Sequence, residues 1–273
     1  MIRSVLSYFP GIIQDLRGVF LRSAYVIEPE RWQGVNVARN PAARVHELRN
    51  VVFEVKLEGV EDLDHWRGQI EPNLPWADDH FEERVGGQPL NPGVQWQNWP
   101  WGKSADRFRN EDELFNHTYM ERYWPTYARK RPGGESPPEQ EKGTPHTYLG
   151  QPLGDLNSLV GLLAQEPTTR QAWLPIFFPS DTGYGDGGRK PCTLGYQFLC
   201  RDKQIHIWYP LRSCDFIRHF RDDCYLTVRL LLWVLNQCRG INPDYWNEVR
   251  VGTYSMHCTS LHVFENDMIQ MRK

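Results

Sequence analysis

Apolar and polar positions alternate along this chain in a way that predicts strands and helices in an irregular order. Residues 48–57 are rich in apolar and β-branched side chains, which predicts a strand. Two further strands are expected at 194–200 and 204–209, joined by the polar turn 201–203, and 249–264 alternates well enough to form another. The elements follow no regular βαβ rhythm and no segment repeats, so we expect an α+β domain.

Three segments carry the apolar spacing of helices. The longest is 222–237, whose apolar residues lie on overlapping faces, so we expect a long and largely buried central helix. Residues 76–85 predict a short helix that stops at a pair of glycines. Residues 155–163 predict a third helix, with Asp155 as a candidate cap.

Length and composition favour a single domain over residues 1–273. The chain has 273 residues, of which 40% are hydrophobic, enough to bury one sizeable core. Residues 131–144 are rich in Pro, Gly, Glu and Lys without periodicity, which predicts a mobile surface loop. A formal net charge of −3 argues against nucleic acid as a direct ligand. The apolar run 5–13 is too short to span a bilayer and lacks a cleavage site, so we expect a cytoplasmic protein.

The six cysteines show no CxxC pair and no Cys/His spacing of a metal site. We expect reduced thiols, most of them small buried apolar residues, and no metal. Cys192 is the exception, because the segment 190–193 (KPCT) faces 211–215 (LRSCD) across an apparent hairpin. A thiol, a guanidinium and a hydroxyl at the ends of paired strands suit a nucleophile beside a phosphate pocket. The guanidinium of Arg212 would favour the thiolate over the thiol.

Several motifs follow one another in order over most of the chain. They are Trp96-Gln97-Asn98-Trp99, Tyr119, Pro191-Cys192, Gln197, Arg212-Ser213-Cys214-Asp215 and the segment 260–267 with His262. In this order and at these spacings they resemble the thymidylate synthase family, most closely its phage-type pyrimidine nucleotide hydroxymethylase and methylase branch. The resemblance implies a mixed β-sheet with flanking helices, a homodimer, a pyrimidine nucleoside monophosphate as substrate and 5,10-methylenetetrahydrofolate as cofactor.

By this resemblance, one group of residues holds the nucleotide: Arg39, Arg170, Gln197, Arg212, Ser213 and His262. Arg170 would reach the phosphate from the partner subunit, and Arg39 from an early loop. His262 would hold the sugar hydroxyl, but Phe264 stands in place of the family's tyrosine companion, so a ribonucleotide substrate stays open. Each arginine could alternatively form a surface or interface salt bridge.

Base recognition is where the chain departs from the uracil-specific members of the family. The position of their asparagine falls on Asp223 here, next to Asp222. A carboxylate accepts from the 4-amino group of cytosine, and a proton shared with N3 draws electron density from C6 and assists addition of a thiol. These residues therefore favour cytosine. Either aspartate could instead cap the helix that follows.

The resemblance also implies which residues carry the chemistry. Cys192 would add to C6 of the pyrimidine, which makes C5 nucleophilic. Tyr119 would assist removal of the proton from C5. A carboxylate on the helix 76–85 would orient water and move protons, and counting back from the glycines favours Asp79 with Glu83 as its rival. Both carboxylates could alternatively be ordinary solvated surface.

The folate-contacting set implied by the resemblance is Trp96, Trp99 and Asp215. The tryptophans could equally close an edge of the core. The chain ends at Lys273 without the C-terminal extension that closes over folate in the family, so we expect a wetter site that favours water capture over hydride transfer. Thr193 also stands where many relatives have histidine.

These inferences predict a homodimeric deoxycytidylate (dCMP) 5-hydroxymethylase, of phage type and acting in the cytoplasm of its host. The alternatives of the same class are a dCMP or dUMP C5-methylase and a CMP hydroxymethylase. The alternative of a different class is a catalytically silent nucleotide-binding protein on the same scaffold, because a fold does not fix a function.

Overall fold

Within the described residues, a mixed sheet of seven strands forms the centre of the fold. The computed structural model describes residues 2–6, 8–32, 35–125, 147–148, 151–183 and 189–272. The strands are β1 Ile2–Leu6, β2 Tyr25–Ile27, β3 Arg31–Trp32, β4 Val35–Asn36, β5 Val45–Lys56, β6 Thr147–Tyr148, β7 Gln151–Pro152, β8 Trp173–Pro175, β9 Gly195–Arg201, β10 Gln204–Asp215 and β11 Arg250–Phe264.

The sheet runs in the order β1-β5-β11-β10-β9-β8, and β2 pairs with the first residues of β5. The pairs β1/β5 and β10/β11 are parallel, whereas the other pairs of the sheet are antiparallel. The register between β10 and β11 shifts between Ile205 and Ile207, which marks a β-bulge. Strands β3 and β4 form a separate hairpin, as do β6 and β7.

Helices flank the sheet. They are α1 Phe9–Ser23, α2 Leu63–Ile70, α3 Trp76–Val85, α4 Gly102–Asp106, α5 Tyr119–Tyr123, α6 Leu156–Gln165, α7 Phe220–Ile241 and α8 Pro243–Trp246, with short 3-10 segments at Pro41–Ala43, Val94–Asn98, Pro179–Asp181 and Glu265–Arg272. The expected α+β fold with a mixed sheet and flanking helices is therefore confirmed. No helix of the described segments is long and apolar enough to cross a membrane.

Helix α7 is the long buried helix that the sequence predicts, extended by two residues at its start and four at its end. It contacts α2, α3, α6 and α8 on one side and the strands β10 and β11 on the other. Its leucines and valines are buried, and Leu230, Leu231 and Val234 have no exposed surface. Burial of each such side chain stabilises the fold by about 2 kcal/mol. Helix α7 therefore packs between the other helices and the sheet, and Asp223 in its first turn lies 3.5 Å from Cys214 of β10.

Strand β10 continues beyond the predicted end at residue 209. Proline usually interrupts an inner strand because it has no N–H, and Pro210 therefore ends the predicted strand. In the structure, the Pro210 carbonyl still accepts a hydrogen bond from Leu194 N at 2.9 Å, and the chain keeps its pairing with β11 up to Asp215. This extension carries Arg212 and Ser213 to the end of the sheet.

Helix α1 and strand β1 are not among the predicted elements. The interruption by Pro10 and Gly11 hides the helix, but Pro10 lies in its first turn, where proline is well tolerated. Phe9, Ile12 and Phe20 bury the inner face of α1 against the sheet. Helix α6 begins at the predicted cap, since Asp155 accepts from Ser158 N at 2.9 Å. The predicted loop 131–144 lies outside the described residues.

Candidate active site

A cavity of about 790 Å³ opens where the ends of β10 and β11 meet α3, α5 and the first turn of α7. Most of the residues singled out from the sequence line this cavity. They are Glu83, Trp96, Trp99, Tyr119, Cys192, Arg212, Ser213, Asp215, Asp222, Asp223 and His262. A cleft of this size accommodates a nucleotide, and it brings together side chains that are far apart in the sequence.

Cys192 lies on the cavity wall and is partly exposed, whereas the other five cysteines are buried. Its backbone carbonyl accepts from Arg212 N at 2.9 Å, which confirms the predicted pairing of the two segments. The Arg212 guanidinium donates through Nε to Pro191 O at 2.8 Å and through Nη2 to Lys190 O at 2.9 Å. Arg212 therefore fixes the backbone on the N-terminal side of the thiol and still presents an edge of its guanidinium to the cavity.

A second row of polar side chains crosses neighbouring strands of the sheet. His262 of β11 lies between Asp215 of β10 and Glu47 of β5 in the strand register. Burial raises the pKa of Asp215 and lowers the pKa of His262. His262 Nδ1 lies 3.3 Å from Ser213 Oγ, so the row joins the segment that carries Arg212.

Asp222 and Asp223 have different surroundings, which the sequence does not distinguish. Both carboxylate oxygens of Asp222 accept from Asn73, one from its backbone N and one from Nδ2, at 2.8 Å each. Asp223 lines the cavity, and its Oδ2 lies 3.5 Å from Cys214 Sγ. Burial raises the pKa of Asp223 to about 7, although the Arg84 guanidinium opposes the rise. Asp223 is therefore the carboxyl group that can hold or release a proton near neutral pH.

Neither aspartate caps helix α7. The capping position is occupied by His219, which makes no capping hydrogen bond through its side chain. Asp222 and Asp223 lie in the first turn of the helix, where a negative charge is favourable. The alternative that Asp222 or Asp223 caps the helix is therefore wrong.

Of the two candidate carboxylates on α3, the structure brings Glu83 to the cavity and leaves Asp79 exposed outside its wall. Glu83 accepts from Gln95 N at 3.3 Å and from His80 Nδ1 at 3.3 Å. Arg84 Nε donates to His80 Nε2 at 3.0 Å, so the ring proton of His80 must lie on Nδ1 and point to Glu83. Burial lowers the pKa of His80 to about 4, which keeps the ring neutral. Burial alone would raise the pKa of Glu83, but these hydrogen bonds lower it.

Comparison with known proteins identifies the fold. No protein-family model matches the chain. The thermostable thymidylate synthase A from Bacillus subtilis has a similar structure, with a TM-score of 0.64 over 97% of this chain and 82% of that chain, at 13% sequence identity. The chain has the thymidylate synthase fold.

Two proteins with a related sequence carry the same name provisionally. The provisionally named thymidylate synthase of Methanococcoides burtonii is 26% identical over 171 residues, which cover 60% of this chain and 69% of that protein. The one of Methanosarcina acetivorans is 27% identical over 168 residues, which cover 58% of this chain and 66% of that protein. These matches support a relationship to thymidylate synthases and leave open the branch to which the chain belongs.

On this thymidylate synthase fold, aromatic rings form one wall of the cavity. The Trp99 ring lies 4.9 Å from His219 in a stacked arrangement, and Trp96 contacts both Trp99 and Phe115, at 5.4 and 4.4 Å between ring centroids. Trp99 is buried and belongs to the core cluster, so it closes a core edge and lines the cavity at once. The Trp96 Nε1 atom is buried and has no hydrogen-bond partner in the part of the chain that the structure describes.

Three of the residues predicted to bind the nucleotide do not line the cavity in the single chain. Arg39 lies in an exposed turn with a φ of 64°, and Arg170 is also exposed. The Gln197 side chain donates to the carbonyls of Arg170 and Ala172 at 3.2 Å each, on the sheet. The roles of these residues therefore stay predictions.

Several cavity residues escape the sequence analysis. Arg189 directly precedes the segment 190–193 and adds positive charge to the wall beside Lys190 of that segment, and this adjacency was the signal available for it. Arg218 lies three positions after Asp215 and donates to Asp267 at 2.7 Å. His80 and Glu47 have no local signal, because their positions on the wall depend on how α3 and β5 pack.

Proposed function

We propose that the protein transfers a one-carbon unit to C5 of a pyrimidine nucleoside monophosphate, with dCMP as substrate and 5-hydroxymethyl-dCMP as product. The observation that carries this proposal is that Cys192, Arg212 and Asp223 open into one cavity. These side chains supply a nucleophile, a phosphate partner and an acid at one site. The fold and the provisionally named relatives support the same class of reaction.

Cys192 is the nucleophile in this proposal. C5 of a pyrimidine is a weak nucleophile until a thiolate adds to C6, and the addition makes C5 electron-rich. Arg212 orients the segment of Cys192 through the Pro191 and Lys190 carbonyls. Its guanidinium, together with the Ser213 hydroxyl, would bind the phosphate and set the ring against the thiol.

Asp223 favours cytosine over uracil. Addition of the thiolate to C6 of cytosine is assisted by a proton at N3, whereas addition to uracil needs only hydrogen-bond donors at O4. Burial raises the pKa of Asp223 to about 7, so a proton is available there at neutral pH. The other carboxyl oxygen would accept from the 4-amino group. Asp222 is held by Asn73 and serves to position the start of α7.

The aromatic wall fits methylenetetrahydrofolate. A flat heteroaromatic ring can stack on Trp96, and the unpartnered Trp96 N–H would donate to a ring nitrogen or oxygen. Trp99, fixed by stacking on His219, extends this surface. When bound, the folate supplies the one-carbon unit. Asp215 accepts from the backbone of Ile217 and Arg218 at 3.0 and 3.1 Å, so it would act mainly by shaping this part of the wall.

Glu83 supports hydroxymethylation as the outcome. Its carboxylate is held ionised at the cavity by His80 and the Gln95 backbone, where it can orient a water molecule toward the transferred carbon. Methylation is the second candidate, because the names of the relatives and of the structural neighbour favour it. Both outcomes share the same first steps at Cys192.

The exposed positions of Arg39 and Arg170 are compatible with a homodimer. Neither side chain lines the cavity of its own chain, so each is free to approach the phosphate site of a partner subunit. His262 and Glu47 would face the sugar. Phe264 has no hydroxyl, so this residue cannot hydrogen-bond the sugar and select deoxyribose over ribose. CMP therefore belongs among the substrates to be tested.

Assays of the protein with methylenetetrahydrofolate and dCMP, dUMP or CMP test the proposal. We expect turnover with dCMP and a product whose mass shows an added hydroxymethyl group. A product with an added methyl group would support the second candidate instead. Binding of dCMP without product from any of the three nucleotides would contradict both and indicate a nucleotide-binding protein.

A second test uses the close approach of Glu83 to Gly93. A β-carbon at position 93 would collide with the Glu83 carboxylate, although the φ of −77° at Gly93 suits any residue. We therefore expect Gly93→Ala to displace the carboxylate and lower kcat by about 100-fold.

Gly161→Ala is the matched control for this variant. A β-carbon at this position in α6 meets nothing within 4 Å. The control should raise the free energy of unfolding by about 0.5–1 kcal/mol and leave kcat unchanged. Equal kcat values for the two variants, measured beside their thermal unfolding, would remove Glu83 from the mechanism.

A further inference from the structure

Glu47 presents a carboxylate to the cavity from strand β5. It lines the cavity, and its side chain is 18% exposed. Ser260 Oγ donates to Glu47 Oε1 at 2.6 Å, and Arg49 Nε donates to Glu47 Oε2 at 2.8 Å. Each oxygen of an ionised carboxylate can accept two hydrogen bonds, so both oxygens are fixed in place and each keeps one free acceptor position.

This carboxylate is ionised at neutral pH. Burial alone would raise the pKa of Glu47, but the hydrogen bonds from Ser260 and Arg49 lower it below the ordinary value. An ionised carboxylate accepts hydrogen bonds and repels anions. The part of a ligand that meets Glu47 therefore carries O–H or N–H groups and is not its phosphate.

The strand order places Glu47 on the opposite side of Arg212 from Cys192. The Cys192 segment is bonded to one edge of β10, since Arg212 N donates to Cys192 O at 2.9 Å. Strand β11 pairs with the other edge of β10, and β5 pairs with β11 so that Glu47 lies beside His262. Adjacent strands are about 4.8 Å apart, so β5 is about 10 Å from β10. A nucleotide with its base at Cys192 and its phosphate at Arg212 can therefore turn the free edge of its sugar to His262 and Glu47.

Aromatic rings cover the next position on the same face of the sheet. Phe264 lies two residues after His262, with 5.4 Å between the ring centroids, and Trp32 packs edge-on against Phe264 at 5.4 Å. All three rings line the cavity. They limit the access of water to this part of the wall, which strengthens hydrogen bonds to the Glu47 carboxylate.

We propose that Glu47 accepts hydrogen bonds from the sugar hydroxyl groups of the substrate and thereby lets the site take a ribonucleotide. This inference rests on the proposed function and widens its substrate class from dCMP to CMP. With dCMP, one carboxylate oxygen accepts from the 3′-hydroxyl. With CMP, the 2′- and 3′-hydroxyls lie on the same face of the ribose, so the free acceptor positions of both oxygens are used. The additional hydroxyl of CMP is therefore held and not left without a partner.

Calorimetric titration of the wild-type protein with three nucleotides, without folate, tests this contact from the side of the ligand. CMP has both hydroxyls, dCMP lacks the 2′-hydroxyl, and 2′,3′-dideoxycytidine monophosphate lacks both. We expect CMP to bind at least as tightly as dCMP, and the dideoxynucleotide to bind about 10-fold more weakly than dCMP. This comparison needs no variant, so it stands even where a variant at position 47 does not fold.

Glu47→Gln removes the charge and keeps the shape of the side chain. Its amide oxygen can accept from Arg49, and its amide N–H can donate to Ser260 Oγ once that hydroxyl turns. We expect the Kd values for CMP and dCMP to rise by about 10-fold, and the Kd for the dideoxynucleotide to change by less than about threefold. Glu54→Gln is the matched control, because Glu54 lies on the same strand, accepts from Ser255 Oγ of β11 at 3.4 Å and lies outside the cavity wall. It should leave all three Kd values unchanged.

The outcomes separate the sugar contact from the function on which it rests. If the dideoxynucleotide binds the wild-type protein within about threefold of dCMP, or if CMP binds more than about threefold more weakly than dCMP, the contact is overturned and the proposed function stays intact. An equal loss of affinity for all three nucleotides in Glu47→Gln would also overturn it, because the carboxylate would then serve only the packing of the strands. The expected Kd values without product from any nucleotide in the presence of methylenetetrahydrofolate would remove the proposed function and keep the sugar contact.

Discussion

Replacement of Cys192 by alanine is expected to abolish product formation, with a loss in kcat of about 10⁴-fold or more. The reaction begins with a bond from sulfur to C6, and alanine offers no atom that can form it. Cys192 is partly exposed at the cavity and its removal leaves no core cavity, so we expect the fold and the binding of dCMP to persist. Single-turnover assays with dCMP and thermal unfolding measure the two properties separately.

Cys238→Ala is the control for this prediction. Cys238 is fully buried on α7, and its thiol lies 3.9 Å from Val160 O, far from the cavity wall. This variant should keep kcat even where it loses some stability. Turnover by Cys192→Ala above about one hundredth of the wild-type rate would show that another group attacks the ring or that no attack takes place. Cys214, which also lines the cavity, is the nearest rival, but burial raises the pKa of its thiol well above the ordinary value.

The sequence predicts best the elements whose apolar periodicity is uninterrupted. Helix α3 has the expected bounds, and β11 begins one residue later than expected. Helix α7 is longer than predicted, and its added residues include the buried Phe220 and Cys238, while its middle is buried as expected. Proline hid the extension of β10 beyond residue 209 and the whole of helix α1. In β10 the Pro210 carbonyl still accepts a hydrogen bond and pairing continues to Asp215, and in α1 Pro10 occupies the first turn, where it is tolerated.

The site is predictable where its residues lie in motifs on one strand or on neighbouring strands. Arg212, Ser213 and Asp215 reach the cavity because one strand carries them all. The choice between Asp79 and Glu83 is different, because it depends on how α3 rotates against the 3-10 segment that supplies the Gln95 N–H. Asn73 likewise donates to both carboxylate oxygens of Asp222, and it lies far from Asp222 in the sequence. A single sequence gives no signal for such contacts.

The parts of the site form one connected assembly. Arg84 is buried, donates to His80 and covers the face of the Tyr119 ring at 4.1 Å. It therefore connects the Glu83 carboxylate, through His80, to the Tyr119 ring. Its positive charge also lowers the pKa of Asp223, against the effect of burial. A residue without a sequence motif thus links the helices α3 and α5, which both line the cavity.

The base preference is expected to reverse when Asp223 is replaced by asparagine. A neutral amide has no proton to give to N3, so addition of Cys192 to cytosine loses its acid, and kcat/KM for dCMP should fall by about 10³-fold. The amide N–H can donate to O4 of uracil and its oxygen can accept from N3–H, so kcat/KM for dUMP should rise. Cys214 can still donate to the amide oxygen, which preserves this local contact. Competition between labelled dCMP and dUMP measures the ratio in one reaction.

The pH dependence and a control variant show whether Asp223→Asn acts through loss of the proton for N3. Burial raises the pKa of Asp223 to about 7, so the wild-type protein holds its acid form below that pH, and kcat/KM for dCMP should fall as the pH rises through it. Asp223→Asn should lack this fall. Asp222→Asn is the control: it places an amide N–H against the Asn73 donors, so it should lower stability and keep the preference for dCMP. If Asp223→Asn still prefers dCMP, or if Asp222→Asn is the variant that switches, the base is read by another group and the argument for cytosine does not hold.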